Sequence, residues 1–497
     1  MMVAPEGGTS ANGEPPRSGH LDRQLFVGIA WTAVFRWIAQ LISWIGTFYA
    51  AHLLAPGDYG VVAMAAVPIG FLRVVEDFGL DAVLVQDRSL EREQLARLAG
   101  LALAVGLACC CVFLVAARPI AAFNREPVVA SLVSALSVTF VLDSLQILPR
   151  AALQRELRFR TLAAVMATQF LVSSATLVTC AKLGLGPWSL VLNSIVGGVA
   201  VTGILIRLAP YPVAWPRGIS SLARPILSGW RILVSRACWY GYSNADQLLI
   251  GRVLGKDPLG AYSFAMTFAA LPAQEVTSVV SRVVPGVFSE VQTKRSELRR
   301  YFLLLTETMA YLAFPAAIGL ALTADRVVAI ALGPQWGAVV LPLRILCVYY
   351  AFYSAQVLVV HVLMWTGNFR ANMWLTALAL IGLVAGFAVT VRWGIVAIAW
   401  SWVVVFPLVN LPPLGLTARL LELKLREFFG ALVPATLGCV VMAGVVTLVR
   451  GRLSADLGDV AGLAVEATAG ATTYFAFLAL GYRRRVTDIL RTAFARG

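Results

Sequence analysis

The chain has 497 residues, of which 59% are hydrophobic and only 13% charged, and its formal net charge is +14. Soluble globular domains carry about a quarter charged residues, so this composition excludes an ordinary soluble protein. The apolar residues fall in runs of about 20, the length of a bilayer crossing, which points to a polytopic all-α integral membrane protein.

Taken in order, residues 1–24 are polar and rich in Gly, Pro and Ser, the composition of a disordered tail. They lack the short apolar core and small-residue cleavage site of a signal peptide. The first apolar span runs over 25–54. Others follow at 59–80, 95–117, 128–148, 162–182, 187–208, 226–252, 260–285, 300–323, 338–364, 372–391, 395–418, 429–449 and 461–482, which makes about 14 transmembrane helices. The break between the first two rests on the turn signal Pro56-Gly57-Asp58.

A stretch of the chain occurs twice. Residues 28–60 align without a gap on 228–260, so Arg36 falls on Arg236 and Gly60 on Gly260. The repeat divides the chain into an N-terminal lobe over 25–208 and a C-terminal lobe over 226–418. A basic, Pro-rich linker joins them at 209–225. Helices 13 and 14 (419–482) stand outside the repeat, and a basic tail closes the chain at 483–497. Both halves begin on the same side of the membrane, so they are expected as parallel repeats about an axis along the membrane normal.

Charge sets the orientation. Of the 40 Lys and Arg residues, 25 lie on the side of the N-terminus, 9 on the other side and 6 within spans. The positive-inside bias then places both termini in the cytoplasm. It also accounts for the positive net charge without a nucleic-acid partner, because the basic residues sit between spans. The seven cysteines all lie in apolar runs without metal-ligand spacing, and the three histidines are scattered. No metal site and no cofactor are expected. Loops of at most about 20 residues without a catalytic constellation argue against a membrane enzyme.

Several motifs resemble one family. They are Leu254-Gly255-Lys256-Asp257-Pro258-Leu259-Gly260-Ala261-Tyr262, Val280-Ser281-Arg282-Val283-Val284-Pro285 and the segment Pro149–Phe159. Leu332-Gly333-Pro334-Gln335-Trp336 and Pro342-Leu343-Arg344-Ile345-Leu346 complete the set. Together they resemble the Wzx-type polysaccharide flippases of the multidrug/oligosaccharidyl-lipid/polysaccharide superfamily, in the branch of colanic acid and teichuronic acid exporters. The resemblance implies two six-helix lobes around a central cavity, with helices 13 and 14 added. It implies transport of an undecaprenyl-diphosphate-linked oligosaccharide from the inner to the outer leaflet of a bacterial inner membrane. Its implied partners are that lipid-linked substrate, the bilayer and the polysaccharide polymerase machinery. A multidrug or cation antiporter and a lipid II flippase of the same superfamily are the alternative readings.

An anionic diphosphate crossing a low-dielectric core needs fixed positive charge, and guanidinium supplies paired donors for phosphate oxygens. Arg36 lies about eleven residues into the first span, roughly 16 Å of helix rise, and Arg236 occupies the matching place. The pair is expected to clamp the diphosphate. Trp239, Tyr242 and Asn244 offer aromatic and amide partners for sugars, and Asp246 a hydroxyl or cation ligand. Arg282, Arg344, Asp77 and Glu275 are secondary candidates, because ionisable groups inside spans are costly enough to suggest a role. Pro68 and Pro272 stand at comparable places in spans 2 and 8 and are expected to kink them.

Overall fold

The structure is a computed structural model. It describes residues 42–76, 92–215, 230–291, 295–452 and 457–483, apart from single positions within these stretches and, for residues 279–291, only the backbone helix. Among the described residues there is helix and no strand. The first half comprises α1 (residues 42–53), α2 (Pro56–Glu76), α3 (Arg92–Asn124), α4 (Val128–Leu136), α5 (Val138–Arg155), α6 (Phe159–Lys182) and α7 (Trp188–Leu208). The second comprises α8 (Trp230–Val253), α9 (Lys256–Val291), α10 (Arg295–Leu322), the short α11 (Ala324–Ala331), α12 (Val340–Trp365), α13 (Phe369–Thr390) and α14 (Ile395–Leu420). The helices α15 (Leu425–Arg452) and α16 (Asp459–Gly481) follow.

Eleven helical segments among the described residues are long and apolar enough to cross a membrane. The other expected spans are the first, seen only as residues 42–53, and those of α8 and α9. These last two are not among the eleven, and polar residues are interspersed along them. Arg231, Arg236, Asp246 and Arg252 all lie on α8. Polar groups are tolerated in a span that faces protein or a water-filled cavity.

Two of the expected boundaries move. The turns at 55–60 and 255–260 are shorter than the sequence suggests, because helix resumes at Pro56 and at Lys256. Proline in a first turn lacks only an N–H that has no helical partner anyway, so neither Pro56 nor Pro258 breaks its helix. What breaks the chain is Gly255, at φ +90°, where a side chain would be strained. Span 4 is split at Ser137 into α4 and α5. Pro68 and Pro272 both sit inside continuous helices.

The halves meet along α2, which packs against α8 and α9. Their contact is closest at the first turns of α2 and α9. A Cβ on Gly60 would collide with the Lys256 carbonyl, and one on Gly260 with the Pro56 carbonyl. The two collisions interchange under the 200-residue offset of the repeat. Backbone therefore lies on backbone, the close approach that small residues permit between membrane helices. The second half also reaches over α1 with the 3-10 turn Pro334–Val339. There the buried Trp336 indole donates to the Ala51 carbonyl at 3.0 Å, and the Gln335 amide donates to it at 3.2 Å. The Trp336 ring packs edge-on against Tyr59 and Phe264, with centroids 5.4 and 4.4 Å away. Lys256 pairs with Glu126 at 3.4 Å on the same rim.

Helix α15 packs against α10, and α16 packs against α15. One charged cluster fixes the far end of this pair. Glu466 of α16 is fully buried and accepts from Arg326 at 3.1 Å and from Arg450 at 2.8 Å. Arg450 continues to Asp325 at 3.0 Å, and Asp325 receives Arg344 at 3.1 Å. Partial burial alone would raise the Asp325 carboxyl, but Arg450 and Arg344 outweigh it and hold it below its ordinary value. That contribution to stability is present at neutral pH and fades only as pH falls through the depressed value. Removing Glu466 leaves two guanidinium groups without their shared carboxylate, which costs about 3–5 kcal/mol for a buried pair. Glu466→Ala should therefore cut the amount of folded protein recovered from membranes, measured by detergent-resistant monodisperse elution. Unchanged recovery would show that the cluster does not hold α16.

Candidate functional site

Polar side chains from four helices of the second half converge on a cavity of about 260 Å³ between α8, α12, α13 and α14. Arg236 enters it six residues into α8, about 9 Å of rise from the helix start. Its side chain is exposed, and among the described residues none forms an ion pair with it. Among the described residues no Asp or Glu lines the cavity. An imidazole stands with it, that of His361, whose Nδ1 lies 2.9 Å from the Val357 carbonyl. A carbonyl only accepts, so Nδ1 carries the proton, and Nε2 has no partner among the described residues.

Amides complete the wall. Asn410 donates to the Phe406 carbonyl at 2.9 Å, which leaves its side-chain oxygen as an acceptor. Asn372 donates to Ser235 at 3.4 Å, and the Gln356 amide makes no hydrogen bond among the described residues. Trp239 presents a ring that is 46% exposed, and Tyr242, Tyr353 and Phe406 add aromatic surface. Such a cavity combines fixed positive charge, hydroxyl-matching amides and flat apolar faces.

The structure thus brings together three of the expected site residues, Arg236, Trp239 and Tyr242, and separates the rest. Asn244 turns back on its own helix and donates to the Tyr240 carbonyl at 2.9 Å. Asp246 is fully buried. It accepts from Tyr262 at 2.7 Å, from the Trp402 indole at 2.9 Å and from the Gln247 N–H at 2.8 Å. Every oxygen is therefore occupied, and Asp246 ties α8 to α9 and α14 rather than facing the cavity. A carboxylate so supplied with donors needs neither substrate nor cation. Arg344 belongs to the cluster around Asp325. Glu275 is partly buried on α9 and is not among the residues lining this cavity. Arg36 and Asp77 lie outside the described residues, as does the side chain of Arg282.

Sequence reasoning missed Gln356, His361, Asn372 and Asn410. The available signal was an amide or imidazole inside an apolar run, where a polar group without a partner is costly. Ionised groups drew attention away from these neutral ones.

Two halves of membrane-length helices, with a cationic cavity and a closed rim at one end, define a multi-pass membrane protein of transporter architecture. The model of the polysaccharide biosynthesis protein family matches residues 50–341, and the chain belongs to that family. It is 23% identical to the lipopolysaccharide biosynthesis protein WzxC of Escherichia coli over 65% of this chain and 66% of that one. It is also 23% identical to the teichuronic acid biosynthesis protein TuaB of Bacillus subtilis, over 95% of this chain and 98% of that one. Among solved structures it resembles the lipid II flippase MurJ in an inward closed conformation, with a TM-score of 0.74 at 11% identity. That likeness covers 92% of this chain and 100% of the other, and it extends to the fold.

Proposed function

We propose that the chain is a flippase carrying a polyprenyl-diphosphate-linked oligosaccharide across the cytoplasmic membrane for export of a surface polysaccharide. Family membership supports the process, and Arg236, without an ion-pair partner or a lining acid among the described residues, supports the substrate's charge. A guanidinium held in low dielectric without a carboxylate attracts an anion strongly, and its planar fork suits phosphate oxygens. The same charge repels the cations that a multidrug antiporter exports. The polyprenyl tail stays in lipid, so the protein need only lower the barrier for diphosphate and sugars. No covalent bond changes in this scheme.

We read the N-terminal side as cytoplasmic from the charge bias. The rim at residues 51–60, 254–260 and 332–339 then faces outward, and its closed contacts make this an outward-closed state. Both the orientation and the function follow from one labelling experiment paired with one export assay. A single cysteine at position 158, on a cysteine-free background, should resist a membrane-impermeant maleimide in intact cells and react after permeabilisation. Labelling from outside would invert the topology. Deletion of the gene should stop polymer export while lipid-linked units accumulate on the inner leaflet. Loss of those units instead would mark a synthetic enzyme.

A further inference from the structure

A second cavity, of about 350 Å³, lies in the first half between α2, α5, α6 and α7. It differs in charge from the one around Arg236. Its only lining cation among the described residues, Arg73, is paired with Asp143 at 3.0 Å and donates to Thr139 at 2.9 Å. Both members of the pair line the cavity and remain about half exposed, at 46% and 45%. Opposite them stand the amides of Gln169 and Asn193 and the hydroxyl of Ser173. Ser173 donates to the Asn193 carbonyl at 3.2 Å, but neither side-chain amide has a hydrogen-bond partner among the described residues. Gln169 lies ten residues into α6, about 15 Å of rise, which is deep within its span.

Both amides line the cavity and are only partly buried, so their donors and acceptors are open to a ligand. An anion is a poor candidate, because it would have to displace Asp143 from Arg73. A cation meets the same obstacle from the other side. A neutral polyhydroxyl group does not, since its hydroxyls donate to the carboxylate and amide oxygens and accept from the guanidinium and amide nitrogens. The volume falls within the ~300–1,000 Å³ of small-molecule sites.

We propose that this cavity is a saccharide-binding site, holding the sugar portion of the lipid-linked substrate while the Arg236 cavity holds its diphosphate. The inference rests on the flippase reading and adds to it a division of labour between the halves. Charge recognition and hydroxyl recognition are then carried by different helices, and each can be removed separately.

The test uses the full-length chain in lipid nanodiscs and two probes. One is undecaprenyl diphosphate, which has no sugar. The other is the lipid-linked saccharide pool extracted from cells of the source organism lacking this chain. The double variant Gln169→Leu/Asn193→Leu keeps side-chain bulk and removes both amides. It should bind the saccharide-bearing pool about tenfold more weakly, from the loss of two neutral hydrogen bonds, and bind undecaprenyl diphosphate as wild type does. Arg236→Ala should weaken both probes. Equal affinity of the double variant and wild type for the saccharide pool would overturn the proposal and make this a packing cavity. Equal weakening for both probes would also overturn it, because the site would then not read sugar. Failure of Arg236→Ala to weaken undecaprenyl diphosphate strikes the diphosphate assignment alone. A wild-type chain that binds neither probe refutes the flippase reading together with this site.

Discussion

A disulfide between cysteines placed at positions 57 and 257 should stop export, and a reductant should restore it. The two positions face each other in the first turns of α2 and α9. A Cβ added at Gly57 lies 3.4 Å from the Asp257 Cγ, the place a cysteine sulfur would take. Across a disulfide each Cβ lies about 3 Å from the partner's sulfur, so the two side chains are close enough here for the bond to form. In the closed rim the first turns of α2 and α9 are in backbone contact through Gly60 and Gly260. Any state open on this side must pull them apart and release Trp336 from the Ala51 carbonyl. A covalent tie therefore traps the closed state, and alternating access requires both states. The measurement is polymer export per unit of membrane protein in the doubly substituted, otherwise cysteine-free chain, before and after reduction, with each single cysteine as control. Full cross-linking with undiminished export would show that the rim need not open. A companion variant, Gly260→Val, sets a side chain against the Pro56 carbonyl and should destabilise the closed rim without a covalent bond.

Replacement of Arg236 by alanine should lower export by about 10- to 100-fold, the range expected from losing charge-assisted hydrogen bonds to an anion. Protein abundance should hold, because among the described residues no carboxylate depends on Arg236 for its charge balance. That separates Arg236 from Glu466, whose loss leaves charged partners behind. Lysine should restore export only in part, since an ammonium cannot offer two coplanar donors. Glutamine should behave like alanine, because it donates hydrogen bonds but carries no charge. The same series at Arg36 tests whether its place in the repeat makes it the second half of a diphosphate clamp. Wild-type export from the double alanine variant at normal abundance would end the diphosphate assignment for both.

Composition and hydropathy specified most of the fold. Long apolar runs in a bilayer have one means of satisfying every backbone group, so the helices lie where the runs lie, within a few residues. The ends that moved did so for local reasons legible after the fact, since Pro56 and Pro258 are compatible with a first helical turn and Gly255 is the true break. The 200-residue offset pointed to Gly60 and Gly260 as equivalent positions. Only the folded chain shows that they touch each other.

The site was legible by charge and illegible by direction. Arg236, Trp239 and Tyr242 stood out as polar or aromatic groups deep in one span, and they share one cavity. Asp246, on the same helix and similarly deep, belongs to the core, because Tyr262 and Trp402 arrive from helices 16 and 156 residues along the chain. No pattern within α8 encodes those partners. The sequence by itself determined a membrane-spanning helical chain and its deep charges, because the bilayer's demands act on each segment alone. The tertiary structure decided which charges are neutralised, because pairing such as Arg73 with Asp143 or Arg326 with Glu466 depends on helices that meet only after packing.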